Sequence, residues 1–235
     1  MTGRGFTLVE LLIGMTLFLI ILISCVAFFG HARGLFFKLK DAEEDAQAAY
    51  SALDRIRLDL ARGGRGLAEA IGLGLISAVE AGPERLIILS SEGPRSLTQD
   101  LVAGGSLAVL DSTEGIKKGD RICFLEGFRG EIRSVTSVDS GTLALDPPSQ
   151  ADYSSGSCRV LPIEQVSYYL GAADRVVRRQ VNSSSPQPLI EDVGDFQYAY
   201  DLPSNLVSVT IGLAPHKERT HAILVFPKNA GLFPR

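Results

Sequence analysis

Tryptophan is absent from this chain, and its 235 residues include only three histidines, three cysteines and two methionines. The shortage of histidine and cysteine removes the side chains that most often ligate transition metals or serve as base and nucleophile. His216 and His221 are five apart with no third ligand nearby, and His31 stands alone, so no metal is expected. No Gly-x-Ser-x-Gly, no P-loop and no Gly-x-Gly-x-x-Gly leading into a helix occurs. Paired acids such as Asp192 and Asp195 read as turn caps. No catalytic residue and no cofactor are therefore expected. A basic excess is also missing: 23 Lys and Arg against 27 Asp and Glu give a net charge of −4. Without a broad positive field there is no general attraction for nucleic acid. The densest basic cluster, Arg175, Arg178 and Arg179, reads as a solvated hairpin, and nucleic acid is not expected as a partner.

What the chain does have is an apolar run over residues 6–29 with a single charge, Glu10. At ~1.5 Å per residue, about 20 residues cross a hydrocarbon core. The run is too long for the h-region of a secretory signal, and Phe28-Phe29-Gly30-His31 is a poor cleavage site. An acid inside a spanning segment costs about 2.5–3.5 kcal/mol on insertion scales, so Glu10 needs a reason.

The helical pattern does not stop at the end of this run. Leu39, Ala42, Ala46, Ala49, Leu53, Ile56 and Leu60 alternate spacings of three and four, which lines one helical face. Off that seam lie Asp41, Glu43, Glu44, Asp45, Asp54, Arg55, Arg57 and Asp59, and the four acids within residues 41–45 read as a solvated face rather than a metal site. Gly63-Gly64 predicts the stop. A helix over residues 6–62 would be roughly 85 Å long. The seam can form a coiled coil or pack on the chain's own sheet. Its three alanines permit close backbone approach and favour the sheet.

Residues 63–235 are long enough for a core of their own. The glycine- and alanine-rich stretch 63–82 reads as a flexible or weakly helical connector. Strands are predicted at 86–89, 107–110, 122–125, 131–138, 142–145, 166–170, 175–181, around Phe196, Tyr198 and Tyr200, at 207–213 and at 221–226. Asp139-Ser140-Gly141 and Gly171-Ala172-Ala173-Asp174 predict hairpin turns. One long helix followed by many strands predicts α+β, the helix packed on an antiparallel sheet head, with an added β subdomain between residues 117 and 145.

Gly5-Phe6-Thr7-Leu8-Val9-Glu10-Leu11-Leu12 resembles the N-terminal signature of type IV prepilins and type II secretion pseudopilins. The resemblance is close over residues 5 to about 62 and loose beyond. It implies cleavage by a prepilin peptidase between Gly5 and Phe6, N-methylation of Phe6, and a role for Glu10 in assembly. It divides the chain into a leader peptide (1–5), a transmembrane helix (6–30), an amphipathic helix (31–62) and an extracytoplasmic head (63–235). In an α-helix, Glu10 lies one turn from Phe6 on the same face, where it can pair with the new amine of its own or a neighbouring chain. Charge counting disagrees on orientation, since Arg33, Lys38 and Lys40 follow the span and only Arg4 precedes it. The cleavage signature implies the opposite, with the head in the periplasm.

Major pilins usually carry a kinking proline where this chain has Ala27. The strand-rich head is similar to large minor pilins of the PilW-like group and to the large minor pseudopilin of type II secretion. The resemblance thus implies a minor pilin, inserted in the inner membrane, that primes or caps pilus assembly near the tip. The alternative is a type II secretion pseudopilin contacting cargo. A lower alternative is a membrane-anchored sensor or enzyme. Expected partners are the prepilin peptidase, other major and minor pilin-like subunits, the inner-membrane assembly platform and the lipid bilayer. Cys25 lies in the apolar run. Cys123 and Cys158 fall in the expected extracytoplasmic part, where an oxidising compartment permits a disulfide worth roughly 3–4 kcal/mol. Two buried free thiols are the other reading.

Overall fold

The computed structural model describes residues 8–214 and 220–230; Arg4, Gly5, Phe6 and His216 fall outside them. Helix α1 (Leu8–Arg62) is unbroken. A short helix α2 (Ala68–Gly72) follows. Among the described residues thirteen strands then follow: β1 (Val79–Ala81), β2 (Leu86–Ser90), β3 (Arg95–Ser96), β4 (Leu107–Val109), β5 (Arg121–Glu126), β6 (Arg129–Asp139), β7 (Thr142–Asp146), β8 (Arg159–Gly171), β9 (Val176–Val181), β10 (Gln187–Ile190), β11 (Val193–Asp201), β12 (Leu206–Leu213) and β13 (Thr220–Val225). The pairings among them are antiparallel, which makes the chain α+β. Two compact units divide it, residues 1–47 and 48–235, so the second takes in the last turns of α1.

Within the second unit the expected seam is buried. Ala49, Leu53, Ile56 and Leu60 join one core cluster with Ile88, Val166, Tyr168, Val177, Val207, Val209 and Ile211. Leu53, Ile56 and Leu60 are each fully buried and contribute roughly 1.5–3 kcal/mol apiece. Ala49 and Ala52 let the helix backbone come close to the strands. The seam therefore packs on the chain's own sheets rather than on a second helix at these positions. The helix stops where glycine is required. Gly64 has φ +77, and a Cβ there would lie 2.6 Å from the Asn229 carbonyl oxygen. Its N–H donates to the Leu89 carbonyl at 2.7 Å, which ties the helix end to β2.

Strand β8 organises the sheets. Its first half pairs with β5 through Arg159↔Leu125 to Ile163↔Arg121, and with β3 on the other edge. Its second half pairs with β2 and β9. Pro162 stands on the edge opposite β5, after β3 has ended at Val160 and before β2 begins at Glu164. A proline inside a central strand is tolerated where one edge is left unpaired, as here. The ten-stranded sheet runs β1-β2-β8-β5-β6-β7-β4, with β3, β9 and β10 attached off that path. A separate three-stranded sheet, β11-β12-β13, closes the core that receives α1.

The added β subdomain is larger than the predicted 117–145. Its core draws on Leu97, Leu101, Leu110, Ile122, Phe124, Val135, Leu143, Tyr153 and Val160. A third cluster covers the opposite face of β5 and β8, with Leu67 at the start of α2 and Ala70 within it packed against Cys123, Leu125, Leu161 and Ile163. Both faces of β5 are thus covered. That explains its unbroken apolar run Ile122-Cys123-Phe124-Leu125.

The same alternation corrects the disulfide expectation. Cys123 and Cys158 are buried free thiols. Cys123 packs in the cluster on the α2 side, and Cys158 in the cluster on the other face. Cys123 also pairs with Leu161, three residues beyond Cys158. That offset is about 10 Å along a strand, beyond the ~7 Å that a disulfide spans between Cα atoms.

Candidate assembly site

The N-terminal unit is organised around exposed apolar surface. Glu10 sits in the first turn of α1, where the positive end of the helix dipole favours an acid. Leu8, Val9, Leu11, Leu12 and the other large apolar side chains through Phe29 are at least half exposed. Among the described residues α1 is the helix long and apolar enough to cross a membrane. The hydroxyls in this stretch are satisfied locally. Thr16 donates to the Ile13 carbonyl at 2.8 Å and Ser24 to the Ile20 carbonyl at 2.9 Å. In hydrocarbon that matters, because no water is there to accept them. Ala27 lies inside the unbroken α1. Gly14 and Gly30 have no neighbour within reach of an added Cβ.

The polar side chains of the head mostly hold the fold. Asp59, which lies off the apolar seam, is nonetheless 3% exposed. It accepts from Arg179 Nε at 2.7 Å and from the Tyr168 hydroxyl at 2.6 Å, and Arg55 lies 3.7 Å away. Burial, then this hydrogen bond, pushes the Tyr168 phenol up and keeps it a neutral donor. Arg178 pairs with Asp174. Two members of the basic cluster at 175–179 are thus spent on structural pairs. Sequence reasoning missed the Asp59 knot because its hydrogen-bond partners, Tyr168 and Arg179, lie more than a hundred residues away.

Two further polar clusters pin loops of the β subdomain. Buried Glu131 pairs with Arg133 and accepts from the Ser149 hydroxyl at 2.6 Å. Arg133 Nε in turn donates to the Pro148 carbonyl at 3.0 Å. Glu126 accepts from Arg129, from the Ser157 hydroxyl and from the Ser154 N–H at 3.2 Å. The Arg129 bond first, then Ser157, hold its carboxyl down at about 2. Burial pushes the Cys123 and Cys158 thiols up to about 12.

His221 packs edge-on against Tyr50, ring centroids 5.0 Å apart. Among the described residues no group of His, Cys, Asp and Glu could hold a metal ion. An open cleft of about 640 Å³ between the β1–β2 turn and β11 is lined by Arg85, Tyr169, Phe196 and Tyr198, with the Arg85 guanidinium 4.4 Å from the Tyr169 ring centre. A second, of about 480 Å³, lies over Pro162. Neither lining contains a histidine or a cysteine.

The geometry leaves the N-terminal segment as the site with the most distinctive chemistry, and the comparisons with known proteins point to the same place. The prokaryotic N-terminal methylation motif matches residues 2–26. No curated protein matches the chain. Two solved structures are similar over part of the chain. The Gp54 tailspike of Acinetobacter baumannii bacteriophage AP22, in complex with A. baumannii capsular saccharide, is 18% identical with a TM-score of 0.29; 33% of this chain and 15% of the tailspike are covered. The endosialidase of phage phi92 is 11% identical with a TM-score of 0.21, covering 65% of this chain and 35% of its own. The chain thus spans well under half of either protein, and likenesses this weak carry no argument about fold or function. The chain carries a prepilin-type N-terminal methylation motif at the head of a long apolar helix, consistent with the type IV pilin and pseudopilin family.

Proposed function

We propose that this chain is a minor pilin subunit that primes or caps type IV pilus assembly through its N-terminal helix. The observation that carries the reading is the methylation motif placed directly on an unbroken apolar helix whose first turn holds Glu10. Cleavage between Gly5 and Phe6 creates an amine one turn from Glu10. A charge is tolerated in an apolar environment only when paired. Two unit charges at 4 Å attract by about 4 kcal/mol at an effective dielectric constant of 20. A Glu10 that meets the Phe6 amine of a neighbouring subunit fixes the axial register of the two helices. Seating the chain in the inner membrane with its head in the periplasm gives the peptidase access to Gly5 from the cytosol. The bulky β subdomain supports a position at the tip, where a large head meets no neighbour above it.

The test is Glu10→Ala in the producing cells. Cleavage and membrane retention are expected to match wild type, while recovery in the sheared filament fraction drops. Recovery of the variant in filaments at wild-type level overturns the proposal.

A further inference from the structure

Beyond the span, α1 carries a segment whose chemistry matches a lipid headgroup layer. At 3.6 residues per turn, Phe28, Phe29, Ala32, Leu35, Phe36 and Leu39 share an arc of roughly 120°. Their large side chains are 49–70% exposed. Basic side chains flank the arc on both sides, the cations Arg33 and Lys40 on one and His31 with the cation Lys38 on the other. Arg33 lies 5.5 Å from the Phe37 ring centre, so its guanidinium already rests on an aromatic face. Directly after Lys40 the sign reverses, with Asp41, Glu43, Glu44 and Asp45.

We propose that residues 28–40 bind the phosphates of anionic phospholipids in the leaflet that receives the C-terminal end of the span. The surface is continuous with the apolar span, and its charge is complementary to lipid phosphate. From Leu8 to Lys40 the helix rises roughly 48 Å at ~1.5 Å per residue, against about 40–45 Å for a bilayer with its headgroups. A modest tilt therefore brings the cations to phosphate level. Their long stems lie along apolar surface while their heads reach the interface. The acids that follow are repelled by the same phosphates and mark the depth at which the helix leaves the membrane. The arrangement also accounts for basic residues on the side of the span where charge counting does not expect them: here they serve as lipid ligands.

The inference rests on residues 8–29 spanning the membrane, and the experiment separates the two. The full-length chain is reconstituted in bilayers of phosphatidylcholine with a minority of phosphatidylglycerol, and the lipids retained after mild extraction are quantified. Wild type is expected to enrich phosphatidylglycerol over the bulk by on the order of fivefold or more, the partition gain of one surface cation on an anionic leaflet. The triple variant Arg33→Gln, Lys38→Gln, Lys40→Gln is expected to fall to bulk composition while resisting carbonate extraction. Arg33→Lys keeps the charge and is expected to keep the enrichment. Retained lipid at bulk composition for wild type, or undiminished enrichment in the triple variant, overturns the proposal. So does a triple variant with unchanged lipids that no longer co-purifies with pilin-like subunits, which makes the arc a protein interface. Wild type released by carbonate refutes the spanning reading itself.

Discussion

Replacing Asp59 is expected to damage strongly the packing of α1 on the core that receives it. The carboxylate is 3% exposed, and the Arg179 side chain that pairs with it is 13% exposed. Asp59→Ala leaves that guanidinium buried without its anion and the Tyr168 hydroxyl without its acceptor. Removing one partner of a buried ion pair typically costs about 3–5 kcal/mol. The high end does not apply, because Arg55 and Arg179 retain some access to water; about 3 kcal/mol is expected. Asp59→Asn can still accept from Tyr168 and is expected to lose about half of that, in line with ~1.5–3 kcal/mol for a hydrogen bond to a charged group. Replacing both partners with apolar residues, Asp59→Leu with Arg179→Met, removes the unpaired charge and is expected to recover most of the loss. The assay is equilibrium urea unfolding of the full-length chain in detergent, followed by tyrosine fluorescence. A cost below about 1 kcal/mol for Asp59→Ala, or a double variant no better than the single, refutes the assignment of the knot as a structural element.

Two other outcomes follow from the β subdomain. Glu126 titrates at about 2 when folded, well below the ordinary ~4.3 for this side chain. Its depressed value stabilises the folded loop fully above the ordinary value, and that contribution is lost as pH falls toward 2. The protection of the Ser154 amide, taken relative to intrinsic exchange at each pH, is therefore expected to fall between about pH 4.5 and 2, and Glu126→Gln is expected to remove that fall; constant protection in wild type contradicts this. Cys123 and Cys158, with thiols raised to about 12, are expected to resist alkylation in the folded chain at neutral pH and to react after unfolding without prior reduction. A mass shift on reduction would falsify the free-thiol assignment.

The sequence carried the periodic elements and missed what depends on distant partners. Val207, Val209 and Ile211 alternate strictly because one face of β12 is buried, so the strand was readable. The turns at 139–141 and 171–174 were marked by their glycines. The seam Ala49, Leu53, Ile56 and Leu60 was readable because helix period and burial coincide there. The first half of β8 was not, since Pro162, Arg159 and Glu164 interrupt any strand pattern and only the gap between β3 and β2 makes the proline acceptable. Strands β3 and β10 are short and their neighbours supply their order. The cysteines were misjudged because compartment and loop length say nothing about which sheet face a side chain occupies. At the N-terminus the reverse holds. Glu10 stood out because a lone acid in an apolar run conflicts with its surroundings, and that conflict is local.

The central claim is that Glu10 acts beside a processed N-terminus. Intact-mass and N-terminal peptide analysis of the protein recovered from membranes of its producing cells tests this most directly. The account requires a mature chain that starts at Phe6 and carries a methyl group on its amine. A membrane-bound chain that retains Met1 to Gly5, or starts at any other residue, contradicts it.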